Sequence, residues 1–162
     1  MKTPLTFLLS LTFLFLFSGS VYGEEEVKKE YWDNGKLKSE THYNNGKREG
    51  LTTLWWRSGG KASESYFKNG IINGVSTLWH ENGAKEAEAL VVNGKQEGVA
   101  TYWYDSGKKK EESHFKNGKR DGLYTHWYES GGKNVGHYRN GKLEGLKTYW
   151  YESGDKVIKL FL

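Results

Sequence analysis

Four carboxylates, Glu40, Glu64, Glu88 and Glu112, stand 24 residues apart in a chain of 162. Paired carboxylates perform glycosidic acid–base chemistry when they face each other about 5–9.5 Å apart. An even spacing of 24 puts equivalent residues two strands apart, at roughly 10 Å in a sheet. Lys61, Lys85 and Lys109 each stand three residues before a member of the column. The pattern therefore reads as a solvated row of ion pairs. The histidines (His42, His80, His114, His126 and His137) show no metal-ligand spacing. His114 and His137 share a column but would again lie roughly 10 Å apart, too far to share one ion bound at about 2.0–2.1 Å. There is no cysteine, no Gly-x-Ser-x-Gly elbow and no glycine-rich loop opening a helix. The sequence thus points away from an enzyme, a metal site or a cofactor.

The other side chains with recognition chemistry are aromatic, and they too are periodic. Trp55, Trp79, Trp103, Trp127 and Trp150 form one column. It reads as structural, with each ring stacked over threonine and aliphatic neighbours to remove large apolar areas from water. A second, mixed set contains Trp56, His80, Tyr102, Tyr104, Tyr128, Tyr149 and Tyr151. In a thin sheet at least one face stays wet, and clustered exposed aromatics mark interaction sites. These seven residues are the candidate binding face.

The elements that position both sets repeat with them. Asn45, Asn69, Asn93 and Asn117 stand 24 apart, Asn140 follows 23 later, and each precedes a glycine. Such a fixed period is the signature of a repeat architecture. Asn-Gly suits a type I′ hairpin, whose two central residues both have positive φ. A second glycine turn recurs at Gly35, Gly59, Gly83, Gly107, Gly131 and Gly154. Runs such as LTTLWW (51–56) between the turns suit a pleated, half-buried surface, and turns this frequent leave no room for long helices. The expectation is an all-β, elongated antiparallel meander of about 24-residue hairpins with about twelve strands: five full repeats over 27–162, closed by half-repeats. Leu51, Thr53 and Trp55 share one face, and Thr52, Leu54 and Trp56 the other. A bulge at Gly50 is expected to flip the later positions and bring Tyr43 to the tryptophan side.

Residues 1–23 read as a signal peptide, with Lys2, an apolar run from Leu5 to Phe17 and a small-residue exit ending at Gly23. The run is short for a membrane span, although an uncleaved anchor is the alternative. Glu24, Glu25 and Glu26 (24–26) read as a solvated acidic tail. The processed chain keeps 23 basic and 20 acidic residues, a net charge of +3. Both signs are interspersed, and no polybasic cluster stands along the sequence to indicate nucleic acid or anionic lipid.

The recurring Phe/Tyr-x-Asn-Gly-Lys-x-x-Gly with a downstream Trp resembles the MORN repeat, in its variant form. Phe115, Asn117, Gly118, Lys119, Gly122, Thr125, Trp127 and Gly131 make the fullest copy. Ile71 and Ile72 depart from the basic pair, and Val91 replaces the aromatic. The resemblance implies an elongated sheet that serves as a scaffold or interaction surface, and it extends to YwqK-like antitoxin arrays. The functional expectation is an exported protein-binding scaffold. An antitoxin or immunity protein and a cell-wall or glycan-binding module are the alternatives. A protein is the first expected partner, a glycan or membrane surface the next, and nucleic acid is not expected.

Overall fold

The computed structural model describes residues 24–161. The signal peptide inferred for 1–23 lies outside the described residues, as does Leu162. The chain forms β1 (Glu25–Tyr31), β2 (Leu37–Asn44), β3 (Lys47–Trp55), β4 (Lys61–Lys68), β5 (Ile71–Trp79) and β6 (Lys85–Val92). It continues through β7 (Lys95–Trp103), β8 (Lys109–Lys116), β9 (Lys119–Trp127), β10 (Lys133–Arg139), β11 (Lys142–Trp150) and β12 (Lys156–Phe161). All twelve pair in sequence order in one antiparallel sheet. The meander is the one the turn spacing predicts.

The two turn types do the work expected of them. Asn45 and Gly46 have φ of 48° and 72°, and the other Asn-Gly pairs match them. Positive φ at both residues is the type I′ geometry whose twist fits the flanking strands. Glu25 and Glu26 are exposed but pair with Asn44 and Tyr43, and the carbonyl of Glu24 accepts from Asn45 N at 3.1 Å. The solvated tail is thereby corrected to a strand: β2 offers a full row of backbone partners on that side, and these residues take them.

Gly50 does sit in a bulge, with φ of 84°. Its effect differs from the expected flip. Thr41 faces Thr52 while Tyr43 faces Arg48, so β3 places three residues opposite the single His42. Two extra residues preserve the alternation of side chains. Tyr43 therefore stays on the face of Thr52 and Leu54, away from Trp55. The same shift recurs between β4 and β5, β6 and β7, β8 and β9, and β10 and β11.

A second bulge opens the return strand after each of the first four Ser/Asn-Gly turns and is absent between β11 and β12. Tyr31 faces Leu37 while Glu30 faces Ser39, which leaves Lys38 as the extra residue. Ala62, Glu86 and Lys110 occupy the same place in the next copies. In β10 the register against β9 runs without interruption. The one-residue deletion in that repeat removes the bulge residue.

The sheet has two unlike faces. The tryptophan face carries Trp55, Trp79, Trp103, Trp127 and Trp150, all half-buried, beside the buried Thr53, Thr77 and Thr125. The tyrosine face has a floor of small residues. Ser113 is 0% exposed, Ala100 1% and Asn134 3%, with Thr41, Thr52, Ala87 and Ala89 also buried. Aromatic and aliphatic columns flank this floor, led by Tyr43, Phe67, Val91, Phe115 and Tyr138 on one side.

The glycine bulge sets a clear stability test. At Gly74 an added Cβ would stand 2.8 Å from the Cβ of Tyr66, whereas at Gly98 nothing lies within 4 Å; both have positive φ. Gly98→Ala should cost about 1–2 kcal/mol, the ordinary penalty of an L-residue in that backbone region. Gly74→Ala should cost more, about 3 kcal/mol, because backbone strain adds to a clash. Urea unfolding of the two variants measures the difference.

Candidate functional site

The candidate residues fall into two groups when placed on the strands. Trp56, His80 and Tyr104 follow the last residues of β3, β5 and β7, and their ring donors point into the next repeat. Trp32 Nε1 donates to the carbonyl of Trp55 at 3.1 Å, and Trp56 Nε1 to that of Trp79 at 3.1 Å. His80 Nε2 lies 3.0 Å from the carbonyl of Trp103, and Tyr104 OH donates to that of Trp127 at 2.9 Å. Residue type varies along this column, but a ring-borne hydrogen donor is kept in each. The column is a structural ladder, and its polar tips are occupied. Tyr128 breaks the series: its hydroxyl accepts from Asn134 Nδ2 at 2.8 Å. Loss of the bulge residue in β10 explains this, since it moves Asn134 into the floor beside that ring.

The tryptophan column is locked by cations. Lys61, Lys85, Lys109 and Lys133 stand over the rings of Trp79, Trp103, Trp127 and Trp150, with Nζ 5.7, 5.8, 5.4 and 5.0 Å from the ring centres. Lys61, Lys85 and Lys109 also pair with Glu64, Glu88 and Glu112. Each lysine thus joins the carboxylate of its own strand to the indole of the next repeat. Glu40 pairs with Lys29 at 2.8 Å, and that hydrogen bond is the main influence holding its carboxyl below the ordinary range. The acidic column is the row of ion pairs expected from its spacing.

The remaining candidates gather on the C-terminal half of the tyrosine face. Tyr102, His126 and Tyr149 are half-buried there, and the His126 and Tyr128 rings meet edge to face at 4.8 Å. Tyr151 is exposed at the following turn. Arg120 holds this region together, yet the sequence does not single it out. Its guanidinium stands 5.0 Å from the centre of Tyr124, 5.7 Å from Tyr138 and 6.0 Å from Phe115. It pairs with Glu111, which also accepts from Ser113 Oγ at 2.8 Å. A cleft of about 310 Å³ opens beside it, lined by His80, Glu86, Tyr102, Lys110 and Glu111. Lys110, Lys147 and Lys159 stand over tyrosine rings here: Tyr104 at 5.4 Å, Tyr124 at 5.6 Å and Tyr149 at 5.6 Å. None of the three has a carboxylate within ion-pair distance among the described residues.

The N-terminal half of this face is different. A groove of about 360 Å³ runs over Ser39, Thr41, Thr52, Ser63 and Ser65 between Tyr43 and Phe67. Its cations Lys28 and Lys38 are paired with Glu26 and Glu30, while Arg48 stands over the Phe67 ring at 5.2 Å without an ion pair among the described residues. Unpaired positive charge over aromatic rings is thus denser in the C-terminal half, where Lys110, Lys147 and Lys159 supply it.

With this geometry in place, the family comparison is direct. A family model described as the MORN repeat variant matches residues 27–45 and 96–117. These two stretches are MORN repeats of the variant form. Both matches run from an outgoing strand through a Gly turn to the next Asn-Gly pair, β1–β2 and β7–β8 in the fold. No curated protein matches the chain. MORN repeats act generally in protein or membrane interaction.

Dryness of the Arg120 region has a spectroscopic consequence. Burial, aided by the nearby Glu111 charge, pushes the Tyr124 hydroxyl up to about 12. An unfolded tyrosine ionises near pH 10, so Tyr124 contributes stability that is complete below about pH 10 and lost as pH rises through about 12. Absorbance titration at alkaline pH should show a late-ionising component that loses one tyrosine in Tyr124→Phe, with Tyr104, also raised by burial, unaffected. In that variant the folded array should also lose less stability between those two pH values.

Proposed function

We propose that this repeat array is an exported, non-enzymatic interaction module that seats a protein partner on the C-terminal half of its tyrosine face. The observation that carries this reading is the set of unpaired lysines over tyrosine rings around Arg120. Tyrosine and arginine dominate the energetics of protein interfaces. A cation over an exposed ring is well placed to be covered, because excluding water from it strengthens the contact. The ladder residues Trp56, His80 and Tyr104 contribute by holding this surface flat against its neighbours; Tyr102, Tyr128 and Tyr149 offer the contact area.

Export rests on the apolar leader with its small-residue exit. Neutralisation of an envelope toxin, as the YwqK-like resemblance suggests, would use the same face and would differ only in the partner's identity. A neutral wall glycan would rely on the aromatics and be indifferent to Lys110 and Lys147.

Affinity capture from the envelope fraction of the protein's own cells tests the proposal. One partner should be recovered in stoichiometric amount. The variant Lys147→Gln/Tyr149→Ser, which leaves the ladder intact, should bind it at least about tenfold more weakly, as expected for loss of interface hot spots. Capture of the partner at undiminished affinity by that variant would refute the assigned face. Retention on insoluble wall material in place of a protein would refute the protein-partner reading.

A further inference from the structure

The nearly balanced charge of the chain conceals an uneven distribution. Ten positions flank the five Asn-Gly pairs, and they hold seven basic residues and no acidic one. Lys116 and Lys119 flank one turn and Arg139 and Lys142 the next. Lys47, Lys68 and Lys95 stand at the three turns before them. The opposite edge is mixed: Asp33, Glu81, Asp105, Glu129 and Glu152 open its glycine turns, but a lysine follows each of them (Lys36, Lys85, Lys108, Lys133 and Lys156). A strand of nine residues holds the two edges roughly 30 Å apart. That is several times the screening length of about 8 Å at physiological salt, so each edge acts on its surroundings independently.

The carboxylates nearest this edge are held by turn amides and offset part of its charge without pairing with its lysines. Glu49 accepts from Asn69 N at 2.7 Å, Glu97 from Asn117 N at 2.8 Å and Asp121 from Asn140 N at 3.0 Å. Each fixes the next hairpin's turn. Among the described residues only Arg139 of the seven cations is ion-paired, to Glu144 at 3.0 Å. Contrast the first residues of β4, β6 and β8 at the other edge, where Lys61, Lys85 and Lys109 all have carboxylate partners. The cations of this edge recur about every 10 Å and extend over roughly 38 Å.

We infer that the Asn-Gly edge binds a linear acidic polysaccharide with a charged group on alternate sugar units. This surface is separate from the tyrosine face, and the inference goes beyond the proposed function. Magnitudes and spacing favour this occupant over others. A second copy offers no acidic edge to match it, because lysines follow the acidic residues at the other turns, and exposed ion pairs contribute little individually. A linear polyanion can meet several cations of the row at once, so weak contacts add along one chain. Nucleic acid carries a phosphate about every 3.4 Å along each strand, far denser than these cations. A membrane would need apolar side chains beside the charges along the whole edge, yet only Ile71 and Val92, at two neighbouring turns, stand there, and Val75, Val99, Leu123 and Leu146 lie mid-strand on the tryptophan face. The turn asparagines add a second element. The side-chain amides of Asn69, Asn93, Asn117 and Asn140 are exposed and make no hydrogen bond among the described residues. They stand free to meet sugar hydroxyls between the charges.

The test uses the full chain and hyaluronate, which has one carboxylate per disaccharide, as the probe. Neutral dextran, duplex DNA and anionic phospholipid vesicles are run beside it. Hyaluronate should bind at low salt, with log K falling linearly against log salt. The variant Lys95→Gln/Lys116→Gln/Lys119→Gln/Lys142→Gln, changed only at exposed turns, should lose at least tenfold in affinity. Its dependence on salt should be shallower, because fewer ionic contacts remain to be screened. Lys147→Gln/Tyr149→Ser should leave hyaluronate binding unchanged, which separates this edge from the tyrosine face. No binding of hyaluronate at low salt, unaltered binding by the quadruple variant, or tighter binding of DNA or vesicles would overturn the inference.

Discussion

Along the first four links of this sheet, one repeat is tied to the next by a hydrogen bond from a ring to a backbone carbonyl one repeat ahead. A single-layer sheet has no opposing layer to bury its faces against, so the usual source of cohesion is thin. Trp32, Trp56, His80 and Tyr104 supply the substitute, each reaching the tryptophan carbonyl of the following copy. Around that bond the other contacts repeat with the same period. Lysine joins glutamate to the next indole, and an acidic side chain before the bulge glycine fixes the next Asn-Gly turn. Nearly all cohesion therefore passes between nearest neighbours, the regime in which a repeat protein's stability is a sum of unit and interface contributions.

Function follows from what this scheme leaves unused. The tryptophan face is internally neutralised by its lysine–glutamate row, and the ladder rings have committed their polar atoms. What remains chemically open is the aromatic and cationic region around Arg120 and the basic row at the Asn-Gly turns. These lie on different surfaces of the sheet and differ in character. The first is dry enough to shift Tyr124 and to hold His126 below the ordinary imidazole range through burial. The second is fully wet and acts through charge at a distance.

The fold was legible because its determinants are local. Asn-Gly turns, glycine turns and alternation in the runs between them specify strands and order without any long-range information. The ion-pair column was legible for the same reason, since Lys61 and Glu64 lie on one strand. Face assignment was harder. A bulge of one residue and a bulge of two predict opposite sides for Tyr43, and the sequence carries only the glycine that both require. The roles of Trp56, His80 and Tyr104 were hidden because their partner is a carbonyl, which every residue has. Their shared feature, a donor at the tip of a ring, is the signal that could have revealed the ladder. Arg120 was equally hidden, as its aromatic neighbours come from three strands. The basic edge is invisible to any scan for runs of like charge, because it assembles only when the period of 24 folds.

Native-state hydrogen exchange of Tyr104→Phe tests the nearest-neighbour account most directly. Removing that hydroxyl leaves the Trp127 carbonyl without its partner, a loss of about 1 kcal/mol, or about fivefold in local opening. The account predicts faster amide exchange confined to β7 through β10, with β1 through β4 unchanged. An equal change across all twelve strands, or none in β7 through β10, would contradict it.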